Sequence, residues 1–125
     1  MPNKVYVKTE VQKIFDSCNF PEYLTGTRAL WCCLEYMVDN PQDRYCSLYK
    51  KVYLYAAKET NSTVGAVERC MRTLIENAYA DRAEEMERVL GELKYAGKKH
   101  RNAPMLKQVL YRIIALAEKE VLNNE

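Results

Sequence analysis

Glu68, Arg69, Arg72 and Thr73 lie within "VERCMRT", residues 67–73. At about 100° per residue these four side chains leave a helix on the side that also carries Gly65 and Glu76, while Val64, Val67, Cys70, Met71, Leu74, Ile75 and Ala78 take the opposite side. The polar set matches the edges of base pairs. Arginine offers a planar fork to the two acceptors of guanine, glutamate accepts from the amino group of cytosine, and threonine bonds a base or touches the thymine methyl. Gly65, near the helix start on the same side, leaves room for a phosphate to approach backbone N–H groups at the positive end of the helix dipole. The same residues also have a plainer use, since Glu68 and Arg72 stand four apart and can pair with each other on an ordinary solvated face.

The helix needs a neighbour that sets its pose. Upstream, a helix is expected over about Tyr45–Glu59, linked to the next only by Thr60, Asn61 and Ser62, with Thr63 as a possible fourth linker residue. So short a link forces a steep crossing, and Ala56 and Ala57 supply small residues at the approach. Asn61 suits a left-handed reversal, and Ser62 and Thr63 can each cap the following helix. The pattern is that of a helix-turn-helix over about 46–79. Lys50 and Lys51 on the first helix, with Ser62, Thr63 and Gly65, are the candidate phosphate contacts. Tyr45, Tyr49 and Tyr53, at four-residue steps, are expected mostly to pack, with one hydroxyl able to reach a phosphate.

The remainder reads as all-α, a compact six-helix domain filling residues 1–125. A first helix from Val5 to about Asn19 repeats Val7, Val11, Ile14, Phe15 and Cys18 at three- and four-residue steps. "NFPEYLTG" interrupts it, Pro21 barring continuation and Gly26 able to take backbone angles closed to other residues. Leu30, Cys33, Leu34, Met37 and Val38 mark the second, with Trp31 as a core anchor. A short helix within "DRAEEMERVLGELKYAG" stops near Gly91 or Gly97, and a basic loop, "KKHRNAP", leads into the last one. There the apolar surface from Met105 to Val121 is wider than a single stripe, which means burial first and a partner contact second.

Composition narrows the function. The chain has 125 residues, a net charge of +2 and five cysteines, at 18, 32, 33, 46 and 70. The cysteines lack paired spacing near histidines and are expected to be reduced core residues, so no metal and no other cofactor is implied. No apolar run approaches the length that spans a bilayer and no secretory leader is visible, which points to a cytoplasmic protein. His100 has no nucleophile or carboxylate pair arranged around it, and no phosphate loop or serine elbow occurs, so neither an enzyme nor a small-molecule substrate is expected. Charge is segregated. Arg44, Lys50, Lys51 and Lys58 form one basic run, Lys94, Lys98, Lys99 and Arg101 another, and acid gathers in 81–88.

"SLYKKVYLYAAKETNSTVGAVERCMRTLIENAY" resembles the helix-turn-helix of the C-terminal effector domain of the stage-zero sporulation response regulator, through Ser47, Lys50, Tyr53, Ala57, Lys58, Asn61, Thr63, Val67, Glu68, Arg69 and Arg72. "FPEYLTG" is similar to that family's V-P-x-x-[IL]-x-G, with Pro21, Leu24 and Gly26 in register. The resemblance implies six helices, a second helix in the major groove, Glu68, Arg69 and Arg72 as base readers, and Lys50, Ser62 and Thr63 at phosphates. It also implies a possible homodimer on tandem sites through the C-terminal helix. The chain departs from the family at Gly65 and Ala66, where Ser-Arg is usual, and at Thr60 and Thr73, where an aromatic and a histidine are common. Double-stranded DNA binding with altered preference and lower affinity is therefore expected. The family's receiver domain has no counterpart here, so the chain is either a stand-alone effector or a fragment. The rival expectation is a helical adaptor for protein partners that kept the fold and lost DNA binding.

Overall fold

A computed structural model describes residues 3–93 and 103–124. Among them stand five α-helices and no strand: α1 (Lys4–Ser17), α2 (Thr25–Asp39), α3 (Tyr53–Glu59), α4 (Val64–Leu90) and α5 (Leu106–Asn123). Asn3 caps α1 by accepting from the Val5 N–H at 2.8 Å. The helix runs out at Cys18, and Asn19 reverses the chain at φ 53°. The turn ahead of α2 is pinned where Thr27 Oγ1 donates to the Pro21 carbonyl at 2.6 Å.

The core is organised around α2, which touches each of the other four α-helices. Leu30, Cys33, Leu34, Met37 and Val38 are all buried, as their spacing predicts. Trp31 is only half-buried, packed on Phe15 with ring centroids 5.5 Å apart, so it borders the core rather than anchoring it. Gly26 earns its place differently from the sequence expectation. It sits inside α2, and a Cβ there would lie 2.6 Å from the Cys70 carbonyl oxygen, so the glycine permits α2 and α4 to touch backbone to backbone.

Two expected helices are one. The fourth and the short acidic fifth of the six-helix expectation run together as α4, because no proline or glycine occurs from Ala66 to Leu90. The expected boundary survives as a kink at Arg82 (φ −144°, ψ 45°). Arg82 reaches toward the Asn19 carbonyl at 3.5 Å and Glu85 at 3.7 Å. Gly91, at φ 77°, ends the helix, the first of the two stops foreseen. Gly97, His100 and the basic run from Lys94 to Arg101 lie outside the described residues.

In α5, Leu106, Val109, Leu110, Ile113, Ile114, Ala117 and Val121 are all buried, and the helix packs chiefly on α1, with α4 and α2 completing the contact. Most of the broad apolar surface is therefore buried inside the molecule, while Met105 is exposed and Leu116 half-buried. At roughly 1.5 to 3 kcal/mol for each large side chain buried, the buried part seals the core. The expected helix from Tyr45 also differs. A π-helical stretch, Leu48–Val52, precedes α3, and of the three tyrosines only Tyr53 is buried, while Tyr45 and Tyr49 are exposed.

Candidate nucleic-acid interface

Hydrogen bonds fix the link between α3 and α4. Thr60 closes α3, Asn61 adopts φ 56°, its N–H donates to the Lys58 carbonyl at 3.2 Å, and the Ser62 N–H donates to the Ala57 carbonyl at 2.8 Å. That pair of bonds is the Schellman arrangement, with asparagine in the left-handed position usually given to glycine. Thr60 also donates its hydroxyl to the Ala56 carbonyl at 2.8 Å. Thr63, not Ser62, is the N-cap of α4, its Oγ1 accepting from the Ala66 N–H at 3.2 Å. Ala56 and Ala57 are both buried beneath the link.

From this start α4 buries Val67, Met71, Leu74, Ile75, Ala78 and Tyr79. Cys70, expected on the same face, is exposed: α2 meets its carbonyl rather than its side chain. Cys46 is exposed as well and Cys32 half-buried, leaving Cys18 and Cys33 as the core thiols. Burial pushes the Cys18 thiol up to about 12, partly offset by the positive charge of Arg82, and raises Cys33 too.

The opposite side of α4 carries Gly65, Arg69 and Thr73 exposed to solvent, with Glu68 and Arg72 half-buried beside them. A methyl group added at Gly65 would meet no atom within 4 Å. Arg72 and Glu68 form an ion pair at 2.9 Å, the plainer use that their spacing allowed. Arg69 has no ion pair among the described residues. Beside Glu68 and Arg72 opens a cleft of about 230 Å³ whose lining includes Tyr49, Tyr53, Glu68, Arg72, Glu76 and Lys107. Burial raises the Tyr53 hydroxyl far above its ordinary range, so it meets the cleft as a neutral phenol. Sequence reasoning named Tyr49 only as one of three tyrosines expected mostly to pack, and it did not single out Lys107. Glu76 is at least placed on the right face by helical spacing, whereas nothing local marks Lys107 as a neighbour of α4.

The basic residues separate into free and committed. Lys50 is exposed and without an ion pair among the described residues. Lys51, also exposed, lies 3.6 Å from Asp43, whose other oxygen accepts from the Tyr36 hydroxyl at 2.9 Å. That hydrogen bond, ahead of burial and the Asp43 charge, raises the Tyr36 pKa. Arg44, counted with the basic run from sequence, is a core residue. It is buried, donates to the Met37 carbonyl at 2.6 Å and pairs with Glu118 at 3.0 Å, joining the end of α2 to α5.

Residues 11–113 match the family described as Sporulation initiation factor Spo0A C terminal. The chain belongs to this family. Members of the Spo0A C-terminal family are DNA-binding effector domains of a sporulation regulator, and the all-helical architecture agrees with that membership. No curated protein matches the chain. Among the described residues, no helix is long and apolar enough to cross a membrane.

Proposed function

We propose that the chain is a sequence-specific, duplex-DNA-binding transcriptional regulator acting in the cytoplasm, with residues 46–79 as its helix-turn-helix and the first half of α4 in the major groove. Glu68, Arg69, Arg72 and Thr73 read base edges, and Lys50, Lys51, Ser62, Thr63 and Gly65 hold phosphates. The role is binding without catalysis. The observation that carries this reading is the outward face of α4, where Gly65, Arg69 and Thr73 stand open to solvent directly after a hydrogen-bonded, capped turn.

Beside the departures at Gly65 and Ala66, the Glu68–Arg72 pair favours the rival adaptor reading, because it ties up a base reader. Magnitudes decide against it. An i, i+4 pair on a helix surface is worth about 0.3 to 0.5 kcal/mol, whereas a bidentate arginine–guanine contact discriminates by about 1 to 3 kcal/mol. DNA can therefore take Arg72 from Glu68. Two copies on tandem sites would meet through exposed parts of α5 such as Leu122, since most of its apolar face is buried.

Selection from randomised duplexes with the purified chain, followed by affinity measurements on the enriched site, tests the proposal. Arg69→Ala should lose roughly 1 to 3 kcal/mol on that site and relax the preference at one position. Absence of any enriched sequence, together with capture of a defined protein partner, would establish the adaptor instead.

A further inference from the structure

We propose that Lys107, at the start of α5, contacts a DNA phosphate on the flank of α4 formed by Glu68 and Arg72, so that the interface extends beyond the segment 46–79. The inference rests on α4 entering the major groove. A helix lying in a groove about 12 Å wide has a phosphate ridge on each side. Ser62, Thr63 and Gly65 gather at the N-terminal end of α4, and neither Lys50 nor Lys51 lines the cleft beside Glu68 and Arg72, so that cleft holds no lysine already assigned to a phosphate.

That flank is one wall of the 230 Å³ cleft. To it α4 contributes two carboxylates, Glu68 and Glu76, against the single guanidinium of Arg72. A phosphate ridge brought alongside would meet an excess of negative charge. The facing wall, at the start of α5, supplies Lys107, the one lysine lining the cleft. Its side chain is exposed and has no ion pair among the described residues, so its ammonium is available. The turn that carries it is fixed. Leu106 is buried beside it, and Gln108 Oε1 accepts from the Met105 N–H at 3.2 Å. Lys107 thus cancels the surplus charge of the flank, and its flexible four-carbon stem gives it the reach to a phosphate.

The test compares Lys107→Ala, Lys107→Arg and Lys119→Ala by fluorescence anisotropy, on the selected duplex and on an unrelated one, over a range of salt concentrations. Lys119 is exposed on the same helix and about 18 Å further along it, so it controls for the loss of one positive charge at a distance. Lys107→Ala should weaken binding to both duplexes by the same factor and reduce the slope of log affinity against log salt by about 0.9. Lys107→Arg should restore that slope, and Lys119→Ala should leave it unchanged. Equal slopes for Lys107→Ala and Lys119→Ala, with wild-type chain still selecting its site, would overturn the assignment of Lys107 alone. If the wild-type chain selects no site, the groove reading fails and this contact fails with it.

Discussion

Gly26 and Gly65 occupy equivalent places, each the second residue of its helix, and alanine at the two positions should have opposite effects on stability. Replacing glycine by alanine in a helix gains up to about 1 kcal/mol in an interior, and roughly half of that is a fair share for a first turn. At Gly65 nothing opposes the gain, because the space around the new methyl group is empty for 4 Å. At Gly26 the methyl group lands 2.6 Å from the Cys70 carbonyl oxygen and 3.0 Å from its carbon. Both are backbone atoms, so no side chain can swing aside. Recovering ordinary contact requires α2 and α4 to part by somewhat under about 1 Å, in a core where Leu30 and Met71 are fully buried, and overpacking of this kind costs about 1 to 3 kcal/mol. The expected result is a gain of about 0.5 kcal/mol for Gly65→Ala and a loss of about 1 to 2 kcal/mol for Gly26→Ala. Urea denaturation followed by the fluorescence of the single tryptophan, Trp31, measures both. Gly65→Ala should still bind DNA more weakly, because its methyl group stands between a phosphate and the first-turn N–H groups. If Gly26→Ala proves as stable as Gly65→Ala, the close approach of α2 to Cys70 is not a feature of the folded protein, and the pose of α4 must be rebuilt.

Arg44→Ala should destabilise the fold by about 3 kcal/mol in the same assay, since it strips a buried donor from the Met37 carbonyl and leaves Glu118 without its partner. Asn61→Ala should cost about 1 kcal/mol and Asn61→Gly nothing, because only the alanine resists φ 56°. Thiol labelling of the native chain at pH 8 should modify Cys46 and Cys70 quickly, Cys32 more slowly, and Cys18 and Cys33 only on unfolding. The raised thiol pKa values also fix a sign. Unfolded Cys18 ionises near 9.0 and the folded thiol only near about 12, so stability should fall as pH rises above about 9, which denaturation at pH 8 and pH 10 would detect.

What could be read from the sequence is what local rules determine. The link at 60–63 was legible because asparagine at a reversal and threonine before a helix each serve a specific backbone need. The stripes of α2 and α5 were legible because most of each is buried, although Trp31 and Leu116 are only half-buried. Arg44 was misplaced because its partners lie seven and 74 residues away, and a basic residue in a basic run gives no sign of them. Cys70 was misplaced because a helical wheel yields an angle without saying whether a neighbour approaches side chain or backbone. The π-helical stretch before α3 is likewise invisible to a periodicity read at 3.6 residues per turn, while at Arg82 the sequence marked a boundary without showing that the helix continues across it as a kink. At the candidate interface, the face of α4 was legible from its spacing. Lys107 was not, because tertiary folding alone brings α5 beside it.

In an unbroken rod, one inserted residue swings everything beyond it by about 100°. The bend at Arg82 gives α4 a place to absorb such a slip, so its proximal and distal halves need not keep a common phase. Sequence drift in the acidic half can then change what that half meets while the angle at which Arg69 and Arg72 leave the molecule stays the same.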